Sequence, residues 1–432
     1  MRIKSKLIVH VYISLIVLAF PLWTGLSGYG KLGYNKFMFF AVATAACLLL
    51  LAVASVIQKS FRFKLSIASV SALLFIIACA LSWAFSDLPR ASMLLGSRYD
   101  GLLFLILLAV SFLIVLNYGE PNGVYIYMLG LSCGICSLIA IMQIWGLNPF
   151  SLYPAGMLYK DSGLKYSGVF LGTIGNTNLL SSYYALCIPA FIWLILDTDN
   201  PNRFWLLLPS CLAMYVAIAA GMRSFLLALT LSLVILFLYY IKTRFPEKKY
   251  YISAIGLIFA SSVLFLVSVF VLDPNDGVLA DLGNILHGRI SDSLGSHRLL
   301  IWKEALKLAV AGGILGYGPA SYSHLSQIRF SRYVPETGTT LVSYVDNAHS
   351  ELLNYLVQTG ALSLVFYLLI FASSLCRIKS RGKTAFGFSV ISYFISALFG
   401  LALPPVLPIM WIFMGLMCTA EGDFDAKAFA SA

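Results

Sequence analysis

Charge is scarce in this 432-residue sequence. Asp, Glu, Lys and Arg make up only 11% of it, against about 25% in an average soluble domain. Acidic residues are the rarer sign, 18 against 29 basic. The chain is 60% hydrophobic, with a mean hydropathy of +0.89. A soluble globule must cover itself with polar side chains, and this composition cannot. A soluble enzyme, a nucleic-acid binder and a disordered scaffold are therefore excluded. Phosphate-cradling motifs are missing too: there is no GxxxxGK(S/T), and no GxGxxG after a strand, which argues against ATP-driven chemistry. Internal repeats, low-complexity tracts and the inverted symmetry of many transporters are also absent. The eight cysteines are read as lying in spans, away from the outer loops where an oxidising compartment could pair them. Cys133 and Cys136 have CxxC spacing, but at lipid depth this reads as packing by small hydrophobes. No metal site is expected.

What is there is a series of long apolar runs. A membrane-spanning helix needs roughly 20 such residues. About twelve runs qualify, near 7–24, 36–57, 65–85, 101–117, 122–145, 176–196, 204–220, 224–241, 251–272, 352–374, 385–402 and 405–420. The expectation is an all-α integral membrane protein in three stretches. Residues 1–272 hold nine spans, with outer loops at 86–100 and 146–175. Residues 273–351 form one large loop, and 352–432 hold three spans and a tail. MRIKSK before the first run resembles a signal-peptide start, but no clean small-x-small cleavage site follows, so an uncleaved first span is expected. One set of loops holds sixteen basic residues against seven acidic; the other holds thirteen against eleven. Positive loops stay inside, so both termini are expected in the cytoplasm and the large loop outside.

Most of the remaining polar residues fall in the outer segments: 86–100, 146–178, the hairpin 221–224 and the large loop. Structureless loops beyond about 12–15 residues are usually functional. Within this loop, Ser296–Ala311 spaces its apolar residues as an amphipathic helix, with Leu299, Trp302, Leu306 and Ala309 on one face. Such a helix could lie along the outer interface with Trp302 at headgroup depth. GILGYGP at 313–319 should stop it. Asp346-Asn347-Ala348-His349-Ser350-Glu351 then leads directly into the tenth run.

Several stretches resemble the O-antigen ligase and O-antigen polymerase superfamily, polytopic glycosyltransferases of the bacterial envelope. They are GTIGNTNLLSSYYAL (172–186), GMRSFLLAL (221–229), GSHRLLIWKEALKLAVAGGILGYGPASY (295–322) and DNAHSELLNYLVQTGALSLVFYLLI (346–370). SRYDGLL (97–103) is similar to a further outer-loop signature. The likeness covers roughly 86–375. Thr177, Met222, Ser350 and Thr359 depart from the usual pattern. The resemblance implies a glycosyltransferase-C-like fold in the bacterial cytoplasmic membrane, with an extracytoplasmic site. It implies transfer of a glycan from polyprenyl (undecaprenyl) diphosphate to an acceptor sugar hydroxyl, without metal, nucleotide sugar or other cofactor. The partners would be the lipid-linked glycan, an acceptor glycan or glycolipid, and membrane lipids.

For that chemistry the leaving diphosphate needs positive charge, and arginine binds phosphate oxygens bidentately. Arg223, Arg289 and Arg298 are the candidates, with Arg98 behind them. Arg223 stands at a span end, where charge is costly and usually functional, though snorkelling to headgroups is the plain alternative. Arg289 and Arg298 could equally be a solvated loop face, which Lys160 and Lys165 are taken to be. His349 is the candidate base; otherwise it neighbours a helix cap. Asp346 could orient it or cap the tenth span. Glu351 is a second acid–base candidate or a first-turn partner of the helix dipole. Asn176 and Asn178 could bind sugar or diphosphate, or cap their helix. His287, His297 and His324 read as solvated. Catalysis is expected of His349, Arg223 and Arg298; substrate binding of Arg289, Arg98, Asn176, Asn178, Asp346 and Glu351. A flippase or secondary transporter is the alternative, but it predicts charge at mid-membrane depth, and the charges here sit at span ends.

Overall fold

The computed structural model describes residues 2–59, 63–161, 169–197, 200–274, 277–292, 294–334, 339–379 and 382–419. Lys165, and the loop and tail charges Arg62, Asp199, Arg381, Glu421, Asp423, Asp425 and Lys427, lie outside the described residues. The helices of eight residues or more are α1 (Arg2–Ser14, continuing with irregular turns to Leu22), α2 (Leu32–Ile57), α3 (Ile67–Ala84), α4 (Leu102–Tyr118), α5 (Val124–Ile144), α6 (Thr177–Asp197), α7 (Leu207–Ala219), α8 (Arg223–Arg244), α9 (Lys248–Leu272), α10 (Gly277–Leu286), α11 (Leu294–Gly312), α12 (Glu351–Gln358), α13 (Gly360–Leu375), α14 (Thr384–Ala397) and α15 (Leu407–Cys418).

Eight helical stretches are long and apolar enough to cross a membrane: Ser5–Leu22, Gly28–Ile57, Ile67–Ala84, Val124–Ile144, Thr177–Asp197, Pro201–Ala219, Arg223–Arg244 and Lys248–Leu272. Four more apolar helices, α4, α13, α14 and α15, have 10–17 residues. Length alone therefore supports eight crossings where about twelve were expected. α15 explains part of the difference. Its 12 residues are all buried, and at 1.5 Å per residue they reach about 18 Å. A helix that is apolar all round can be enclosed by other helices, and hydropathy cannot tell that from a span. Trp411 of α15 packs with Phe75, Phe112 and Tyr367 at 5.4, 6.2 and 6.0 Å between ring centroids.

Hydroxyl pairs join the central helices. Tyr183 meets Ser132 at 2.7 Å, Tyr184 meets Ser137 at 2.9 Å, and Ser182 meets Ser396 at 3.2 Å. In an apolar surround such groups must find each other. At one end of the molecule, Lys64, Arg377 and Lys383 donate to the carbonyls of Cys418 and Thr419. Three cations there complement the negative end of α15's dipole. All eight cysteines are free. Cys376 lies in an exposed turn just beyond α13, so it is outside the span in which it was expected.

The large loop is not purely helical. β3 (Arg329–Val334) and β4 (Thr339–Tyr344) pair antiparallel, with Arg329 opposite Tyr344. Their aromatic and β-branched residues suit a pleated surface. A smaller pair, β1 (Phe170–Leu171) and β2 (Gly175–Asn176), precedes α6. α11 also turns inward a face whose buried residues share only Ala309 with the one expected. Ile301, Ala305 and Ala309 are buried, while Leu306 is 51% exposed. The helix packs on α12 rather than presenting the Leu299–Trp302–Leu306 face. Its end is locked by close backbone approach. Tyr317 and Gly318 donate N–H groups to Val357 and Gln358 carbonyls at 3.1 and 2.7 Å. A Cβ on Gly316 would lie 2.6 Å from the Gln358 oxygen, and one on Gly360 would strike the Ile314 carbonyl.

Candidate active site

Three segments bring charge together. The first is the turn Ser97–Gly101. Gly96 precedes it at φ +75°, and a Cβ there would lie 2.6 Å from Asp100 Oδ1 and 2.7 Å from Ala320 Cβ. The turn is thus pressed onto the segment after α11. Arg98 Nε donates to Asp346 Oδ2 at 2.6 Å, across 248 residues of sequence. Asp346 therefore partners Arg98, and the expected contact with His349 is not the one it makes. Asp100 is buried beside this pair, and burial pushes its carboxyl up to about 6, with Arg98 opposing.

The second segment is Asp346–Ser350. The Asn347 side-chain oxygen accepts the His349 N–H at 3.0 Å, a local turn typical of Asn. His349 takes φ +50°, a conformation that is uncommon outside glycine and often marks function. Ser350, at the N-cap of α12, makes no side-chain cap bond. Burial, then Arg298, then Arg98 push the His349 imidazole down to about 4. It is neutral at physiological pH.

The third segment is the entry to α11. Gly295, Ser296 and His297 take φ of 62°, 59° and 65°, a left-handed turn that delivers Arg298. Its Nη1 donates to the Gly295 carbonyl at 3.1 Å. Burial and the charge of Arg223 hold the Arg298 guanidinium below its usual range, with Asp281 opposing. Arg223 opens α8, where the helix N-terminus already favours anions. Its Nη1 lies 3.5 Å from Asp281 Oδ2. The result is a continuous group: Arg98, Asp100, Asp346, His349, Arg298, Arg223 and Asp281.

Four expected site residues stand apart from it. Arg289 pairs with Asp273 at the end of α9, and no interaction among the described residues joins it to His349. The Asn176 side chain accepts the Asn178 N–H at 2.9 Å and so caps α6, while Asn178 enters that bond through its backbone alone. Glu351 is buried, accepts the Tyr393 hydroxyl at 3.2 Å, and lies close to Tyr355 and Tyr367. Burial raises its carboxyl to about 7, opposed by tyrosine hydroxyls. Of the loop histidines, His287 stacks on Phe270 at 4.3 Å and His297 lies 4.6 Å from Phe330. Asp100 and Asp281 went unnoticed in the sequence. The glycines bracketing SRYD were the available signal for Asp100, while Asp281 had none. No cluster of three or more His, Cys, Asp or Glu suited to a metal occurs among the described residues.

No curated protein matches the chain. Residues 207–368 match the family model described as O-antigen ligase. That stretch contains Arg223, Asp281, Arg298, Asp346 and His349; Arg98 and Asp100 lie before it. The match, on a helical scaffold with several apolar membrane-length helices, supports a multi-pass bacterial membrane protein of the O-antigen ligase and O-antigen polymerase superfamily.

Proposed function

We propose that the protein transfers a glycan from a polyprenyl diphosphate carrier to an acceptor sugar hydroxyl at the outer face of the cytoplasmic membrane. The observation that carries this reading is a buried, neutral histidine within the field of two arginines, Arg298 and Arg98. Two cations around a deprotonated imidazole suit a reaction in which an anion leaves while a hydroxyl loses its proton. The acceptor oxygen attacks the anomeric carbon, and the anomeric C–O bond to the diphosphate breaks. Arg298 and Arg223, with the N-terminus of α8, take the charge that develops on the leaving diphosphate. His349 accepts the hydroxyl proton.

The same cations that depress His349 would be neutralised by the diphosphate. Donor binding would then raise the imidazole towards its ordinary range, making it a better base only when the donor is in place. In this reading the eight long apolar helices cross the membrane in a glycosyltransferase-C-like arrangement that α4, α13, α14 and α15 complete, with both termini inside. The direct test uses purified protein in liposomes with an undecaprenyl-diphosphate-linked oligosaccharide and a glycolipid acceptor. Glycan should move without nucleotide or divalent metal. Arg298→Ala, Arg223→Ala and His349→Ala should each lose at least a hundredfold in rate, the order set by removing one preorganised charge or base. Full activity in all three variants would overturn the assignment. Movement of intact lipid-linked sugar across the bilayer without transfer would favour a flippase.

A further inference from the structure

The large loop presents one sheet face that the described residues leave uncovered. In the β3–β4 pair, Arg329 stands opposite Tyr344, Ser331 opposite Val342, and Tyr333 opposite Thr340. Side chains alternate across a strand, so these six share a face. All six are exposed, with Tyr333, Val342 and Tyr344 at 63%, 52% and 62%. The opposite face is the anchored one. Phe330 packs there against the core shared by α11 and α12, and its ring lies 4.6 Å from that of His297.

The composition of the open face suits carbohydrate. Tyrosine offers a rigid, amphipathic ring at little conformational cost, and serine and threonine hydroxyls beside it supply adaptable hydrogen bonds. Sugar rings carry C–H groups on their faces, which pack on aromatic planes, and hydroxyls around their edges, which Ser331, Thr340 and Arg329 can meet. Arg329 lies 5.0 Å from the centre of the Tyr344 ring and fixes its plane. Tyr333 and Tyr344 stand four residues apart along the ladder, about 14 Å at 3.4 Å per residue, which exceeds one sugar ring and fits a short oligosaccharide. Hydrocarbon is a poor occupant. The pair is a two-stranded sheet, and lipid would leave the backbone groups of its open edges unsatisfied. The stretch between the strands reads PETG, with an acid and no large apolar side chain.

Two contacts tie this hairpin to the charged group. The Val345 N–H donates to the Ile328 carbonyl at 3.2 Å, which extends the ladder towards Asp346, the partner of Arg98. On the anchored face, His297 beneath Phe330 adjoins Arg298. We propose that the exposed face of β3–β4 is a carbohydrate-docking platform for the acceptor glycan, with Tyr344 and Tyr333 as its two stacking positions. The assignment rests on the glycan-transfer reading. The acceptor is chosen over the donor's glycan because β4 runs on to His349, the group that takes the acceptor's proton. The leaving diphosphate is drawn instead to Arg298 and Arg223, on α11 and α8. Sugars near the reacting hydroxyl lie at Tyr344, and remoter ones at Tyr333.

The first readout is binding without transfer. Full-length protein in nanodiscs, with exposed Cys211 and Cys376 replaced by alanine, carries a nitroxide at Thr340→Cys. The probe is oligosaccharide released by mild acid from the host cell's envelope glycolipids, added without donor. It should immobilise the label, and Tyr344→Ala should raise the concentration needed at least tenfold. Immobilisation by the intact glycolipid alone would make lipid the ligand and overturn the proposal. So would a label reached by lipid-soluble oxygen and not by a water-soluble nickel chelate, which puts the face in the membrane. A dimer in detergent that Tyr344→Ala dissolves would give the face to a second copy, with the same result. The second readout is transfer kinetics in liposomes. Tyr344→Ala and Tyr333→Ala should each raise the acceptor KM at least tenfold, with kcat and donor KM within twofold. Tyr344→Trp should keep the acceptor KM, since stacking needs only the ring, and Ser343→Ala on the opposite face should leave it unchanged. A rise in donor KM instead would assign the face to the donor glycan and overturn the proposal. An unchanged acceptor KM in both alanine variants removes the platform and leaves glycan transfer standing. Oligosaccharide binding with no transfer by the wild type does the reverse.

Discussion

At the scale of single residues the site is organised by burial and like charge. Removing a cation beside His349 should raise the imidazole, since Arg98 opposes its protonation. Arg98→Gln should therefore move the acid limb of kcat/KM upward from near pH 4, whatever it does to the maximum rate. A pH profile whose acid limb stays in place would remove Arg98 from the histidine's surroundings. Glu351 gives a second test, and its sign runs the other way from an ion-paired carboxylate. Its carboxyl is raised to about 7 by burial. The folded chain thus binds this proton more tightly than the unfolded chain. The stabilisation is fully present below the usual carboxyl range and is lost as pH rises through about 7. Thermal unfolding in detergent should shift to lower temperature between pH 5 and 8, and Glu351→Gln should flatten that slope. Arg223 and His349 draw notice in the sequence because each stands at the end of an apolar run, whereas Arg298 is there a loop arginine marked only by the family resemblance. Asp100 and Asp281 draw none, because each gains its meaning from a partner on another segment. For Arg289 the sequence offered only loop position, and its nearest acid, Asp273, claimed it.

At the scale of elements, α11 carries Arg298 into place through its buried face. Ala305 is wholly buried against α12, while Leu306 on the next position is half exposed. Ala305→Leu should overpack that contact, at a cost of about 1–3 kcal/mol, and lower transfer activity by displacing the helix. Leu306→Ala should change stability by no more than about 0.5 kcal/mol. The reverse ranking would show that the sequence-expected face is the packed one. Periodicity located this helix but misjudged its orientation. Apolar residues run nearly around it, so the choice of face belonged to α12, which the sequence does not reveal. The locked end of α11 makes a sharper case. Gly360 has φ +77° and no room for a Cβ beside the Ile314 carbonyl. Gly360→Ala adds strain and collision together, so folded yield and thermal stability should both fall. The β3–β4 pair left no period of two in the sequence: Phe330, Tyr333 and Val334 do not alternate, and Thr339–Tyr344 runs together with no polar–apolar rhythm.

At the scale of the whole molecule, charge is distributed unequally between the two ends, and this bears on which side the reaction faces. Lys64, Arg377 and Lys383 gather at the carbonyl end of α15. Lys6 pairs with Glu120 in segments of the same predicted side. The arginines of the site stand in loops of the other set, where Asp281 and Asp346 nearly cancel them. An excess of cations at one end is what fixes orientation during insertion. A balanced end with a few placed arginines is what an anionic substrate requires. Cysteine labelling in intact cells separates the two. With exposed Cys211 and Cys376 replaced by alanine, Gln327→Cys should react with a membrane-impermeant maleimide, because its loop lies on the site's side. Lys249→Cys, equally exposed at the start of α9, should react only after the membrane is opened. Labelling in the opposite order would put the arginines in the cytoplasm. There a lipid-linked glycan presented at the outer leaflet could not reach them, and the glycan-transfer reading would fail together with the orientation.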